Sequence, residues 1–174
     1  MIDHSGRPTS PRAGWSLLRA GFAALIIATG AALDLAAKGW ARASLEPDGP
    51  GLDFLPFVSL LLTFNEGVSF SLFAFDGELG QAILIGATGV MMLVVIMWAY
   101  RSQGWEQAAL SLIAAGALGN LIDRCIRGSV TDFLGLHLGS WHPFVFNLAD
   151  VWITLGVVGL LAVQAWAPGP KSSA

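Results

Sequence analysis

Residues 119–150 read GNLIDRCIRGSVTDFLGLHLGSWHPFVFNLAD. Three aspartates fall within this stretch, Asp123, Asp132 and Asp150, together with Arg124, Arg127, Asn120 and Asn147. One long apolar run leads into it and another leads out. Charged residues are only 12% of the 174-residue chain, so a cluster this dense is not background.

Outside the cluster the chain is built of apolar material. It is 55% hydrophobic, with a mean hydropathy of +0.66. A soluble domain of similar length carries about 25% charged residues. This excess of apolar surface exceeds what one small core hides, which predicts an integral membrane protein of one domain. The formal charge of −3 and the lack of a basic patch argue against a nucleic-acid partner. The single cysteine, Cys125, excludes an intrachain disulfide and a multi-cysteine zinc site. It reads as a small side chain buried at a helix end.

Of four apolar segments, that over 79–100 is long enough outright to span a bilayer, which takes about 20 residues, and the other three are long enough with their polar ends at the interface or facing protein. They predict helices over about 17–37, 79–100, 107–124 and 148–167, within a membrane domain of residues 15–167. The predicted fold class is therefore an all-α integral membrane protein with four transmembrane helices, since a helix satisfies its backbone hydrogen bonds within the segment. Residues 1–14 and 168–174 read as polar tails, the first disordered. Arg7, Arg12 and Arg19 resemble the start of a secretory signal, but Asp34 and Lys38 stand where a small-residue cleavage site would be, so the first helix is expected to be retained.

Residues 54–75, FLPFVSLLLTFNEGVSFSLFAF, are apolar in a different way. Pro56 and Gly67 punctuate them, and Phe, Val, Ser and Thr alternate in places, as in a strand. A short β-rich element partly within the membrane is expected, with a re-entrant helix as the alternative. Arg7, Arg12, Arg19, Arg101 and Lys171 share one side of an alternating four-helix topology, against Lys38, Arg42, Arg124 and Arg127 on the other, and the positive-inside rule then makes the first side and both termini cytoplasmic. The same alternation brings Asp34, Asp123 and Asp150 to the other face, where ionisable residues are functional candidates because an unpaired charge there is costly.

Asp132 and Asp150 are the foremost candidates for chemistry. Both sit between apolar neighbours, one in the loop expected after the third helix and one at the head of the fourth. Two carboxylates held close share a proton near neutrality. One can then activate water while the other protonates a leaving amine. Asp150 alone also suits a plain helix start, with Asn147 as N-cap, and Asp132 alone suits a solvated loop. Asp123 and Arg124 are adjacent and point to different helix faces, and Arg127 reads as an interface residue. His137 and His142 lack the spacing and partners of a zinc site, so no metal is expected.

These residues resemble the lipoprotein signal peptidase family, also called signal peptidase II. The resemblance is carried, in order, by Asp34-Leu35-Ala36-Ala37-Lys38, by Asn65-Glu66-Gly67 with Phe70-Ser71, by Gly116 through Arg124, by Val130-Thr131-Asp132-Phe133 and by Phe146-Asn147-Leu148-Ala149-Asp150. Ala115 departs from it, where many members carry another glycine. The resemblance implies an inner-membrane aspartic endopeptidase with a small extracytoplasmic β-cradle and a mobile loop over its site. It implies removal of the signal peptide from diacylglyceryl-modified bacterial prolipoproteins, without metal or cofactor. Asp132 and Asp150 would be catalytic. Asp34, Lys38, Asn65, Gly67, Asn120, Asp123, Arg124 and Asn147 would position groups or touch substrate. A monomer in contact with membrane lipid is expected. A proton-coupled transporter and a structural membrane subunit are the competing readings, and neither predicts amide hydrolysis.

Overall fold

The computed structural model describes residues 11–67, 78–139 and 141–166. Four helices form a bundle: α1 (Pro11–Ser44), α2 (Glu78–Arg101), α3 (Gly104–Arg127) and α4 (Leu148–Trp166). All four are long and apolar enough to cross a membrane. Helix α3 is the central one, with half of its apolar stretch covered by protein, against 6% for α2. The outer helices instead expose leucine, valine and methionine side chains such as Leu25, Met91 and Leu161, as lipid-facing surfaces do.

Small residues let the helices approach closely. A Cβ on Gly116 of α3 would collide with the Ala149 carbonyl of α4, and one on Gly156 of α4 would lie 2.6 Å from the Ala109 carbonyl of α3. At the other end of α3, Gln107 donates through Nε2 to the carbonyls of Arg19 and Ala99, each at 3.2 Å. The start of α1, the end of α2 and the start of α3 therefore meet there. The sixteen residue steps from Gln107 to Asp123 span about 24 Å of helix.

Helix α1 is longer than expected at both ends. It begins at Pro11, within the stretch read as a tail, and continues to Ser44. The extension past residue 37 follows from its inward side chains. Asp34, Lys38 and Arg42 recur every fourth residue and share one face; Asp34 finds a partner on α4, Lys38 on α3, and Arg42 on α3 and β3. Residues 1–10, 68–77 and 167–174 lie outside the described residues, and with them the remaining tail positions, Phe70-Ser71 and part of the expected β-rich element.

At the Asp123 end of the bundle lies an open antiparallel sheet in the order β1-β2-β3-β4. Its strands are β1 (Leu52–Leu55), β2 (Val58–Asn65), β3 (Val130–Leu138) and β4 (Trp141–Phe146). The expected β-rich element is β1 and β2. The segment after α3 is a correction: Asp132 was expected in a loop and lies in β3, opposite Thr63 of β2. His137 and His142 likewise belong to β3 and β4. Pro143 can sit in β4 because that strand is at the sheet edge, where a missing N–H breaks no ladder bond. Leu62 of β2 and Phe133 of β3 bury themselves against Ala41 of α1. This small apolar core fixes the sheet on the last turns of α1.

Cys125 corrects another expectation. It is exposed on the last turn of α3, because the buried side of that turn is taken by Asp123 and Arg124.

Candidate active site

Asp132 and Asp150 reach a common point through Asn147. That residue is buried and caps α4. Its Oδ1 accepts from the Asp150 N–H at 3.1 Å, and Asp150 Oδ2 accepts from the Asn147 N–H at 3.2 Å. This reciprocal pair is a capping box with aspartate in place of glutamate. The Asn147 Nδ2 turns the other way and donates to Asp132 Oδ1 at 2.6 Å. One asparagine thus binds both carboxylates, and it lies one residue beyond the end of β4.

Each aspartate has a second amide donor. Asn65, at the end of β2, donates to Asp132 Oδ2 at 3.3 Å, and Asn120 of α3 donates to Asp150 Oδ1 at 3.0 Å. Asp132 is almost fully buried. Burial pushes its carboxyl up to about 6, Asn147 pulls it back, and the Asp150 charge raises it again. A group titrating there exchanges protons close to neutral pH.

Beneath the pair runs a buried ionic layer. Lys38 Nζ lies 2.7 Å from Asp34 Oδ2 and donates to Asn120 Oδ1 at 2.6 Å. The other Asp34 oxygen accepts from the Ala149 N–H at 2.8 Å, tying α1 to the start of α4. Gly119 makes room for this, since a Cβ there would strike Asp34 Oδ2. Asp123 is held by Arg42 Nη1 at 3.0 Å, by Arg127 Nε at 3.2 Å and by the Thr131 N–H at 2.8 Å. Each of these charges lies beside one of opposite sign, which offsets part of the cost of burying them.

Arg124 stands apart from the layer. It is buried, and its Nε has no hydrogen-bond partner among the described residues. A Cβ on Gly67 would lie 3.7 Å from its Nη2. Gly67 itself has φ +80° and donates its N–H to Asn65 Oδ1 at 2.9 Å.

Asp34, Lys38, Asn65, Gly67, Asn120, Asp123, Arg124, Asp132, Asn147 and Asp150 all lie in this assembly or border it. Arg127, Thr131 and Arg42 also belong to it. Arg127 was read as an interface residue, yet it pairs with Asp123 four positions earlier. Thr131 gave no signal beyond its neighbour Asp132. Arg42 continues the Asp34, Lys38 spacing by one more turn, and that periodicity was the available sign. The histidine reading keeps its distance from the site: His137 is 3.8 Å from Asp53 of β1.

The family model described as Signal peptidase (SPase) II matches residues 26–166. The lipoprotein signal peptidase of Methylorubrum extorquens (strain PA1) is 41% identical over 118 residues, covering 67% of this chain and 68% of its own. That of Hydrogenovibrio crunogenus is 36% identical over 137 residues, covering 77% and 79%. A bacterial membrane enzyme solved by the in meso method at 1.9 Å resolution has a similar fold, with a TM-score of 0.73 and 24% identity over 85% of this chain and 95% of its own.

Proposed function

The chain belongs to the signal peptidase II family, and from that premise we propose that it is an aspartic endopeptidase that removes the signal peptide from diacylglyceryl-modified prolipoproteins. Cleavage falls before the lipidated cysteine. The observation that carries the aspartic mechanism is the joint grip of Asn147 on Asp132 and Asp150.

Asp132 is the proton-bearing partner, because its buried carboxyl is pushed up to about 6. Asp150, which accepts from Asn120 and from the Asn147 N–H, is the base. It takes a proton from water as the water oxygen attacks the scissile carbonyl carbon. Asp132 gives its proton to the amine nitrogen as the C–N bond breaks, and both groups work within hydrogen-bond reach of the reacting atoms. No metal or cofactor enters these steps. Arg124 and the Asn65–Gly67 turn face the substrate backbone, and Asp34, Lys38, Asn120, Asp123 and Asn147 hold the carboxylates.

The site lies near the extracytoplasmic face of the bacterial inner membrane, and both termini are cytoplasmic. Supporting this orientation, Arg19 and Arg101 lie at the Gln107 end of the bundle, which the positive-inside rule assigns to the cytoplasm. A monomer suffices, since both aspartates come from one chain.

The test is cleavage of a diacylglyceryl-modified prolipoprotein by purified protein in detergent with EDTA throughout. Wild type should turn over, and folded Asp132→Asn and Asp150→Asn should lose nearly all activity. Full turnover in either variant removes the dyad. An inactive, folded wild type removes the peptidase reading in favour of a transporter or structural subunit.

A further inference from the structure

Arg42 lies at the membrane-edge end of α1, one turn beyond Lys38, and is 19% exposed. A single nitrogen, Nη1, donates to Asp123 Oδ1 at 3.0 Å and to Thr131 Oγ1 at 2.6 Å. The second oxygen of Asp123 accepts from the Thr131 N–H at 2.8 Å. Thr131 is therefore held through both its side chain and its backbone, by groups from α1 and α3. Asp132 is the next residue. In a strand its side chain leaves on the opposite face, toward Asn147 and Asn65.

We propose that Arg42 is a positioning residue for the cleavage reaction: with Asp123 it clamps Thr131, and the clamp aims Asp132 at Asn147. The inference rests on the peptidase reading above. The sheet gives Asp132 an uneven support of its own. Pairing between β2 and β3 is irregular between Leu60 and Thr63, and Thr63 is the residue opposite Asp132. An irregularity there bends a strand and loosens its ladder. The clamp supplies from the helical side the restraint that the ladder lacks at this point.

Arg42 acts through Thr131, so its loss should lower the chemical step more than substrate binding. Reaction geometry is sensitive to displacements of about 1 Å, worth up to about a hundredfold in rate. Removal of one arm of a two-armed clamp should cost about tenfold in kcat. Asp123 keeps Arg127 and the Thr131 N–H, so Arg42→Met should still fold. Because both contacts leave from one nitrogen, the planar fork of arginine is not needed, and an ammonium with three donors can replace it.

The experiment compares wild type, Arg42→Met, Arg42→Lys, Thr131→Val and the Arg42→Met/Thr131→Val double variant. Cleavage kinetics of a lipidated prolipoprotein and hydrogen exchange of the intact protein in detergent are the two readouts. Arg42→Met should lose about tenfold in kcat with KM within about twofold, and Arg42→Lys should recover most of that loss. The double variant should be no slower than the slower single one, since both remove the same contact. Exchange should accelerate at residues 130–133 and stay unchanged in α4. An active wild type with unchanged kcat in Arg42→Met overturns the proposal. So does loss of protection throughout the chain, which would make Arg42 a stability residue. A wild type that cleaves nothing overturns the peptidase reading and the positioning role with it.

Discussion

Asn147 donates to Asp132 at 2.6 Å from a side chain whose oxygen accepts the Asp150 N–H. The amide therefore serves two masters, and neither contact survives its removal. Asn147→Ala should lower kcat by about a hundredfold, because Asp132 loses its shortest donor and α4 its cap. Loss of the cap alone should cost about 1 kcal/mol of stability. Thermal unfolding in detergent beside single-turnover cleavage separates the two effects. A variant that unfolds earlier yet cleaves at the wild-type rate would leave Asn147 as a cap and nothing more.

Asp132 links the site to pH. Burial raises its carboxyl to about 6, while an aspartate in an unfolded chain titrates near 3.9. The native state thus binds this proton more tightly than the unfolded state. Its stabilisation is complete below about 4 and is lost as the pH rises through about 6. The melting midpoint of wild type should fall between pH 4.5 and pH 7, and Asp132→Asn should flatten part of that fall. The same titration sets the activity. The kcat/KM profile reports the free enzyme, and it should decline on its alkaline side from about pH 6. Identical pH–stability curves for wild type and Asp132→Asn would count against the buried, protonated carboxyl.

The four spans were legible because lipid demands long apolar helices, and 79–100 needed little else. The polar face was legible for the complementary reason: Asp34, Asp123 and Asp150 stand out against so apolar a chain. Strand β3 was not. In its sequence VTDFLGLHL Leu134, Leu136 and Leu138 alternate with Gly135 and His137, but Asp132 and Phe133 are out of step with that pattern, and its pairing partner β2 lies far away in the chain. Arg42 was hidden in the same way. Its partner Thr131 is 89 positions distant, and no local pattern records such a contact. The spacing Asp34, Lys38, Arg42 did record that one helix face would be charged.

Gly119 sets the depth of the ionic layer. A Cβ there would meet Asp34 Oδ2, an atom fixed by Lys38 at 2.7 Å. The carboxylate cannot retreat without releasing the Ala149 N–H from its other oxygen. Gly119→Ala should therefore destabilise by about 1–3 kcal/mol, the usual cost of overpacking. Gly86, whose added Cβ would meet nothing within 4 Å, is the control, and Gly86→Ala should be neutral or slightly stabilising because it restrains the helix. Equal melting temperatures for the two variants would show that the layer has slack at Asp34.

Lys38 fixes the direction of an amide. Its ammonium is fully buried and has three donors but no acceptor, so Asn120 must turn its oxygen toward it. The contact is 2.6 Å, and the Asn120 Nδ2 is thereby left for Asp150 at 3.0 Å. A reversed amide would set its NH2 against an ammonium and its oxygen against a carboxylate. Lys38→Met alone should cost about 3–5 kcal/mol, since it strands Asp34 as a buried charge. Adding Asp34→Asn removes that charge while keeping an oxygen for the Ala149 N–H, and should restore most of the stability. Turnover should not return with it, because nothing then holds the Asn120 oxygen away from Asp150. Unfolding and cleavage measured on both variants test this. If the double variant regains wild-type stability and wild-type kcat together, Lys38 serves only to neutralise Asp34, and Asn120 keeps its orientation by other means.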